Sequence, residues 1–339
     1  MSKSAAGSRI GPFTKMIFVL VAVALFFSAG ELILRILNIH VFSSDGGRHD
    51  RLFYFEMTKD KEGFDSHLVL GVKVLPLTSQ HYRIDGPPKP KESGVFRVLC
   101  LGDSSTIGDG VLAKETYCAQ LETVLARKMA PQKVEAINAG FFGYSSYQGK
   151  TLFKKYQAIL QPDAVIFYFG ANDQVFAPIR EDKDWEQVPV WAMKLNAWLY
   201  VRSSLYRFLR NVNVRYVLQL LAHPVDEKAR TIPYRFRVSD EDFPKNVEAV
   251  KKLAAISNGL VYVVPYYSHP GGRLDPTHHF WNFSDPRMID IKPYFQKEFD
   301  EGRTPFVDDI HPNPKGHKII AALLSDLICQ DFSCPAMDQ

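Results

Sequence analysis

Four short stretches of this chain carry residue types that can move an acyl group. They are Gly102-Asp103-Ser104, Asn138-Ala139-Gly140, Gly170-Ala171-Asn172-Asp173 and Asp308-Asp309-Ile310-His311-Pro312. Acyl transfer needs a hydroxyl nucleophile, an imidazole to take its proton, a carboxylate to fix the imidazole tautomer, and donors for the developing oxyanion. Ser104 supplies the hydroxyl, and its own backbone N–H can point at negative charge. Gly140 can offer a backbone N–H with no side chain in the way, and Asn172 a side-chain amide. Asp308 and His311 stand three apart, so in a turn the carboxylate reaches one ring nitrogen while the other faces Ser104, with Pro312 and Pro314 stiffening the presentation.

Residues more than two hundred positions apart meet only if the fold converges them, and the intervening pattern supplies such a fold. Residues 95–101 are a β-branched and apolar run opening into Gly-Asp-Ser-Ser, which predicts a buried strand followed by a turn. A helix over 113–128, a strand over 133–138, a helix over 149–160 and a strand over 164–169 follow. The last strand is apolar throughout, as expected of a central parallel strand covered on both faces. A helix over 240–257, a strand within 259–265, a loop-rich insertion over 269–304 and a final helix over 314–329 complete the alternation of an α/β sheet. In such sheets the carboxyl ends of the strands line the ligand crevice.

The order and spacing of Gly102-Asp103-Ser104, Gly140, Gly170-Ala171-Asn172-Asp173 and Asp308 to Pro312 resemble the blocks of the SGNH (GDSL-type) hydrolase superfamily. The resemblance covers roughly residues 95–330. It implies a three-layer α/β/α flavodoxin-like fold with a central parallel sheet, and a site acting on esters. Carried over by position, Ser104 is the nucleophile, His311 the base and Asp308 its orienting acid. The Ser104 N–H, the Gly140 N–H and the Asn172 side chain form the oxyanion hole. Ser105 stands where the leucine of the family's name often stands. Asp309 is expected to face water and Asp173 to brace the Asn172 loop.

Rival chemistries find less support. Gly143-Tyr-Ser145-Ser146-Tyr147 fails the last position of a Gly-x-Ser-x-Gly elbow, and the turn from Gly102 to Gly108 has no lysine for a phosphate-cradling loop. Asp275 with the adjacent His278 and His279 makes a poor chelate. No metal and no organic cofactor is implied.

The first forty residues differ from the rest. A polar start with Lys3, Arg9 and Lys15 precedes an apolar run, and residues 16–37 are long enough to cross roughly 30 Å of hydrocarbon as a helix. A cleaved signal peptide is the rival, with Ser28-Ala29-Gly30 as its cleavage site; resumed apolar character beyond that point favours a retained anchor. Glu31 and Arg35 lie four apart and read as an interfacial ion pair. The basic flank puts the N-terminus in the cytoplasm and the body outside it. The expected organisation is a cytoplasmic N-terminus (1–15), transmembrane signal anchor (16–37), stalk (38–94), catalytic domain (95–330) and tail (331–339).

The chain carries 41 Lys and Arg against 37 Asp and Glu, and beyond the first 39 residues the balance is near neutral, which gives no electrostatic footprint for nucleic acid. An extracytoplasmic body permits disulfides among Cys100, Cys118, Cys329 and Cys334. Cys329 and Cys334 are the nearest pair, whereas Cys100, in its apolar run, is expected to act as a small buried hydrophobe. Residues 191–221 interleave tryptophans, leucines and arginines at helical spacing. A cover helix with its aromatic stripe packed on the body is expected there, the alternative being a lid or membrane-surface helix.

The sequence therefore points to a membrane-anchored serine esterase. Its substrate is an ester on an envelope or secreted polysaccharide, or alternatively a lipid ester; an O-acyltransferase or a glycan-binding protein on the same fold are the other readings.

Overall fold

A computed structural model of the chain describes residues 11–37, 55–59, 65–69, 72–76, 90–175, 181–187, 191, 195, 198–199, 202–212, 236–268 and 283–334. Two compact units emerge, one containing residues 1–47 and 195–231, the other residues 48–194 and 232–339.

The larger unit is built on four parallel strands: β4 (Val95–Gly102), β5 (Lys133–Gly140), β6 (Ala164–Phe169) and β7 (Leu260–Pro265). They run in the order β5-β4-β6-β7, the flavodoxin-like arrangement. All four expected strands form, and β4 and β6 are buried along their whole length. Alternate residues of β4 feed two cores. Phe96, Val98 and Cys100 pack with α3 (Tyr117–Lys128) and α8 (Pro314–Asp331). Leu99 and Leu101 face α4 (Ser146–Leu160) and α6 (Asp242–Ala255). The result is the expected three-layer α/β/α sandwich.

Register fixes the active edge. Gly102 pairs with Gly140 on one side and Tyr168 on the other, so β4, β5 and β6 end at the same level. The strand order reverses between β4 and β6, and there the crevice of such a sheet opens.

Several local features depart from the expected pattern. Thr116 caps α3 by accepting from Ala119 N–H, so the helix expected over 113–128 splits into a 3₁₀ turn, Ala113–Glu115, and α3. The insertion contains α7 (Lys292–Asp300), entered through Asp290, whose Oδ1 accepts from Lys292 N–H at 2.9 Å. Residues of the expected stalk form an antiparallel meander of β1 (Phe55–Lys59), β2 (Asp65–Val69) and β3 (Val72–Pro76). Cys100 is buried as expected, but it is disulfide-bonded to Cys118, joining β4 to α3; its sequence surroundings conceal this because a half-cystine buries as readily as an apolar side chain. Cys329 and Cys334 form a second disulfide.

In the smaller unit, α1 (Pro12–Ile36) is the apolar helix, with most of its side chains exposed. Among the described residues it also contains α5 (Ser204–Val212). The helix expected over 191–221 is interrupted at Ser203, whose hydroxyl accepts from Tyr206 N–H at 3.0 Å and so caps α5. Within this unit Trp198 is 48% exposed.

Candidate active site

Ser104 begins α2 (Ser104–Ile107), a single turn immediately after β4. Asp103 is the cap of that turn, its Oδ1 accepting from Ser105 N–H at 2.9 Å. Gly108 closes the turn in the left-handed region, at φ 88°, where only a glycine is unstrained. The Ser104 N–H makes no hydrogen bond among the described residues, as the first N–H of a helix does not.

His311 comes from the other end of the chain. Its Nε2 lies 2.8 Å from Ser104 Oγ, and its Nδ1 lies 2.7 Å from Asp308 Oδ2. The remaining Asp308 oxygen accepts from both Ile310 N–H and His311 N–H at 2.8 Å. A four-residue turn thus holds acid and base rigidly, and an antiparallel bridge between Phe306 and Pro312 clamps its ends. Burial works to raise the Asp308 carboxyl, but the His311 ring and the two backbone donors outweigh it and hold the group below its usual range. Asp308 is nevertheless half-exposed, whereas Ser104 and His311 are buried.

Asn172 follows β6, within the turn that Gly170 opens, and is buried. Its Nδ2 donates to Asp103 Oδ2 at 3.2 Å. Ser104, His311, Asp308, Asp103 and Asn172 are therefore joined by hydrogen bonds and chain connectivity in one place.

Gly140 behaves differently from expectation. Its N–H donates to Asn138 Oδ1 at 3.0 Å, so it has no hydrogen left for an oxyanion. Asn138 is itself fixed, its Nδ2 donating to Thr106 O at 2.8 Å. Gly140 is needed for another reason, since a Cβ there would overlap the Ile107 amide of α2. The free donor beyond β5 is Gly143, at φ 71°, whose N–H makes no hydrogen bond among the described residues. Gly140 ends β5 and Gly143 lies three residues beyond it, and spacing alone does not say which amide Asn138 occupies.

Three carboxylates complete the surroundings. Asp103 is fully buried, and desolvation pushes its carboxyl up to about 6 against the pull of its hydrogen bonds. Asp173, also buried, accepts from Ser146 N–H at 2.7 Å, and desolvation raises it to about 7. It thereby pins the Asn172 loop to the start of α4, as expected of a brace. Asp109, which the sequence did not single out, places Oδ2 4.0 Å from His311 Nε2 and is partly open to solvent. Asp309 is exposed, as expected. A buried pair missed in the sequence, Arg237 and Asp182 at 2.9 Å, supports the same edge, with Arg237 also donating to Gly143 O. Asp275, His278 and His279 lie outside the described residues, and among those described no cluster of side chains is arranged to hold a metal.

The profile of the GDSL-like Lipase/Acylhydrolase family matches residues 100–319, which takes in all of these side chains. The chain belongs to that family. It is accordingly an SGNH-type hydrolase acting on esters. Among solved structures, it is similar to the lipase/acylhydrolase from Enterococcus faecalis at 17% identity, with 72% of this chain and 100% of that one covered and a TM-score of 0.42. It is also similar to the psychrotrophic esterase EstA from Pseudoalteromonas sp. at 15% identity, covering 70% and 98%, with a TM-score of 0.41. The lipase Lip_vut3 from a goat rumen metagenome is 14% identical, with 68% and 97% covered and a TM-score of 0.40. A search of curated proteins found no match. Within this GDSL-like hydrolase, the chain of short contacts from Asp308 through His311 to Ser104 is the arrangement an acyl-transfer site requires.

Proposed function

We propose that this GDSL-like hydrolase is a membrane-anchored serine esterase that removes O-acyl groups from an envelope or secreted polysaccharide. The observation that carries the reading is the continuous hydrogen-bonded line Asp308–His311–Ser104, 2.7 Å and 2.8 Å in its two links.

In this mechanism His311 Nε2 takes the Ser104 Oγ proton as the oxygen attacks the ester carbonyl. The negative charge that develops is received by the Ser104 N–H, the Asn172 amide and the Gly143 N–H, the last in place of Gly140. His311 returns the proton to the leaving alcohol, giving an acyl-serine. Water, deprotonated by the same imidazole, attacks that ester, and collapse of the second tetrahedral intermediate restores Ser104. Asp308 keeps Nδ1 protonated throughout and stabilises the imidazolium.

The Asp109 carboxylate supports a hydroxyl-rich substrate. It stands near His311 Nε2, where the leaving alcohol accepts its proton, and accepts hydrogen bonds from neighbouring hydroxyls. A lipid chain gains nothing from a carboxylate at that position. An anchor spanning the membrane through α1, with the body outside the cytoplasm, is supported by the basic residues before α1 and by two disulfides.

The test is hydrolysis of p-nitrophenyl esters, from acetate to palmitate, by the full chain in detergent, with Ser104→Ala beside it. Ser104-dependent turnover confined to the shortest esters supports deacylation of carbohydrate. A preference for long chains refutes it in favour of lipid, and unchanged turnover in Ser104→Ala removes the nucleophile.

A further inference from the structure

Glu31 lies in the last turns of α1, yet its carboxylate terminates a helix about 170 residues further along. Glu31 Oε2 accepts from Leu205 N–H and Ser203 Oγ–H, each at 2.8 Å, and Oε1 accepts from Ser204 N–H at 3.0 Å and Arg35 Nε–H at 2.6 Å. The first turn of a helix offers N–H groups with no partner inside the helix, and a carboxylate there also meets the positive end of the helix dipole. A charge within an apolar segment is costly, so it persists where it is fully engaged. Arg35 adds a bond of its own, from Nη2 to Arg202 O at 2.7 Å. Gly30 lets the helices approach, since a Cβ there would press on Leu205. The pair read from sequence as a simple interfacial ion pair is thus a latch that holds α5 on α1.

Between the latched helices runs a groove of about 630 Å³. Phe27, Leu32, Trp198, Leu205 and Leu209 wall it, and Arg35 and Arg202 stand among its lining residues. Leu32, Trp198 and Leu209 are each about half-exposed, so apolar side chains are open to the surroundings on both sides of the groove. Charge is unbalanced there. Glu31 neutralises Arg35, whereas the Arg202 guanidinium lies 5.4 Å from the Trp198 ring centroid and makes no ion pair with a described residue.

We propose that this groove binds one anionic phospholipid, its acyl chain lying between α1 and α5 and its phosphate at Arg202. The site rests on the reading of α1 as a membrane anchor. Three observations select the occupant. The groove is walled mainly by apolar side chains, it borders the exposed apolar surface of α1 that would face lipid, and its spare charge is positive and sits beside a tryptophan, the side chain favoured at the level of headgroups. A free phosphate lacks the chain that the apolar walls would bury, and a protein partner would leave the lipid-facing continuity unexplained.

The test uses the full chain with Trp198 as its sole tryptophan, Trp185, Trp191 and Trp281 having been changed to Phe, reconstituted into phosphatidylcholine vesicles. Flotation reports insertion. Brominated phosphatidylglycerol or brominated phosphatidylcholine, added at the same mole fraction, then quenches Trp198. The expected result is a chain that floats and is quenched at roughly fivefold lower mole fraction of the anionic lipid, the preference a single arginine confers. Arg202→Glu should erase the preference with p-nitrophenyl acetate turnover unchanged. Equal quenching by the two lipids in a floating chain overturns the lipid site and leaves the anchor standing. A chain that does not float overturns the anchor and the site with it. Native mass spectrometry of the unaltered chain, released from nanodiscs containing both lipids, checks the same point without the tryptophan changes: retained phosphatidylglycerol supports the site, and its absence overturns it.

Discussion

Asn172 Nδ2 donates to Asp103 Oδ2 across 3.2 Å, tying the amide that follows β6 to the cap of the turn that carries Ser104. One of the two amide hydrogens is thereby committed, and the other is held in a fixed direction. Asn172→Ala should lower kcat about 10²- to 10³-fold, with KM little changed, because an oxyanion donor acts mainly in the transition state. Asp103→Asn replaces the acceptor facing Asn172 and should lower kcat by a smaller factor. Equal kcat in Asn172→Ala and the parent would remove Asn172 from the oxyanion hole.

Asp308 orients His311 from a half-exposed position, its side chain 53% accessible. Asp308→Asn keeps an oxygen for the two backbone N–H groups but no longer favours the productive tautomer. The loss of kcat should approach the roughly 10⁴-fold seen for a buried triad acid without reaching it, since water can partly replace an exposed carboxylate. Steady-state kinetics above pH 7 would check this, and Asp309→Asn, at an exposed neighbour, should leave kcat unaltered.

Stability should fall as pH rises from about 4 to about 7. Asp103 and Asp173 have native pKa values of about 6 and about 7 against an ordinary 3.8, each raised by desolvation, so in that window the folded chain holds more protons than the unfolded one. Stability then declines with pH, at up to about 1.4 kcal/mol per pH unit for each group. Asp308, held below its usual range, has the opposite sign, and its contribution is lost only as pH falls below the ordinary carboxylate range. Urea midpoints between pH 4 and pH 8 would measure the slope, which Asp103→Asn and Asp173→Asn should flatten. A midpoint that climbs across the window contradicts the assignment.

Replacing residue 143 by glycolic acid turns one amide into an ester and deletes only the Gly143 N–H. If that N–H is an oxyanion donor, kcat should drop by about 10²-fold with the melting temperature nearly unchanged. The same exchange at residue 140 would cut the bond to Asn138 Oδ1 and should act on stability, by about 1 kcal/mol, before it acts on turnover.

Reducing the disulfides should separate their roles. Cys100 and Cys118 are 18 residues apart and Cys329 and Cys334 only five, so loss of the first should cost the more, about 3 kcal/mol on chain-entropy grounds. Thermal melts of Cys100→Ala/Cys118→Ala and Cys329→Ala/Cys334→Ala would give the order.

The strands are legible because β4, apolar but for Arg97, and β6, apolar throughout, each lead directly to a glycine, Gly102 or Gly170, and the site because its residues sit near the strand ends. What stayed hidden depends on contacts between distant residues. Residues 191–221 read as one helix because the cap residues Ser203 and Ser204 lie inside a continuous helical spacing of apolar side chains, and the carboxylate that completes the cap, Glu31, is distant in the chain. α7 was lost among loop residues because its entry signal is a single aspartate, Asp290, in a proline-rich stretch. Gly140 and Gly143 look alike in sequence, and which of their amides is occupied depends on where the Asn138 side-chain oxygen turns.

The separation of Ser104 and His311 by 207 positions along the chain also sets a temporal order. A chain emerging from its N-terminus exposes the nucleophile, Asn138 and Asn172 long before the base exists. The sheet can assemble its first three strands, with Ser104 already seated on its turn, while the serine has no partner to deprotonate it. With the proposed triad, hydrolytic competence is therefore among the last properties the growing polypeptide acquires, and a nascent chain that has not yet reached residue 311 is chemically silent toward the esters around it.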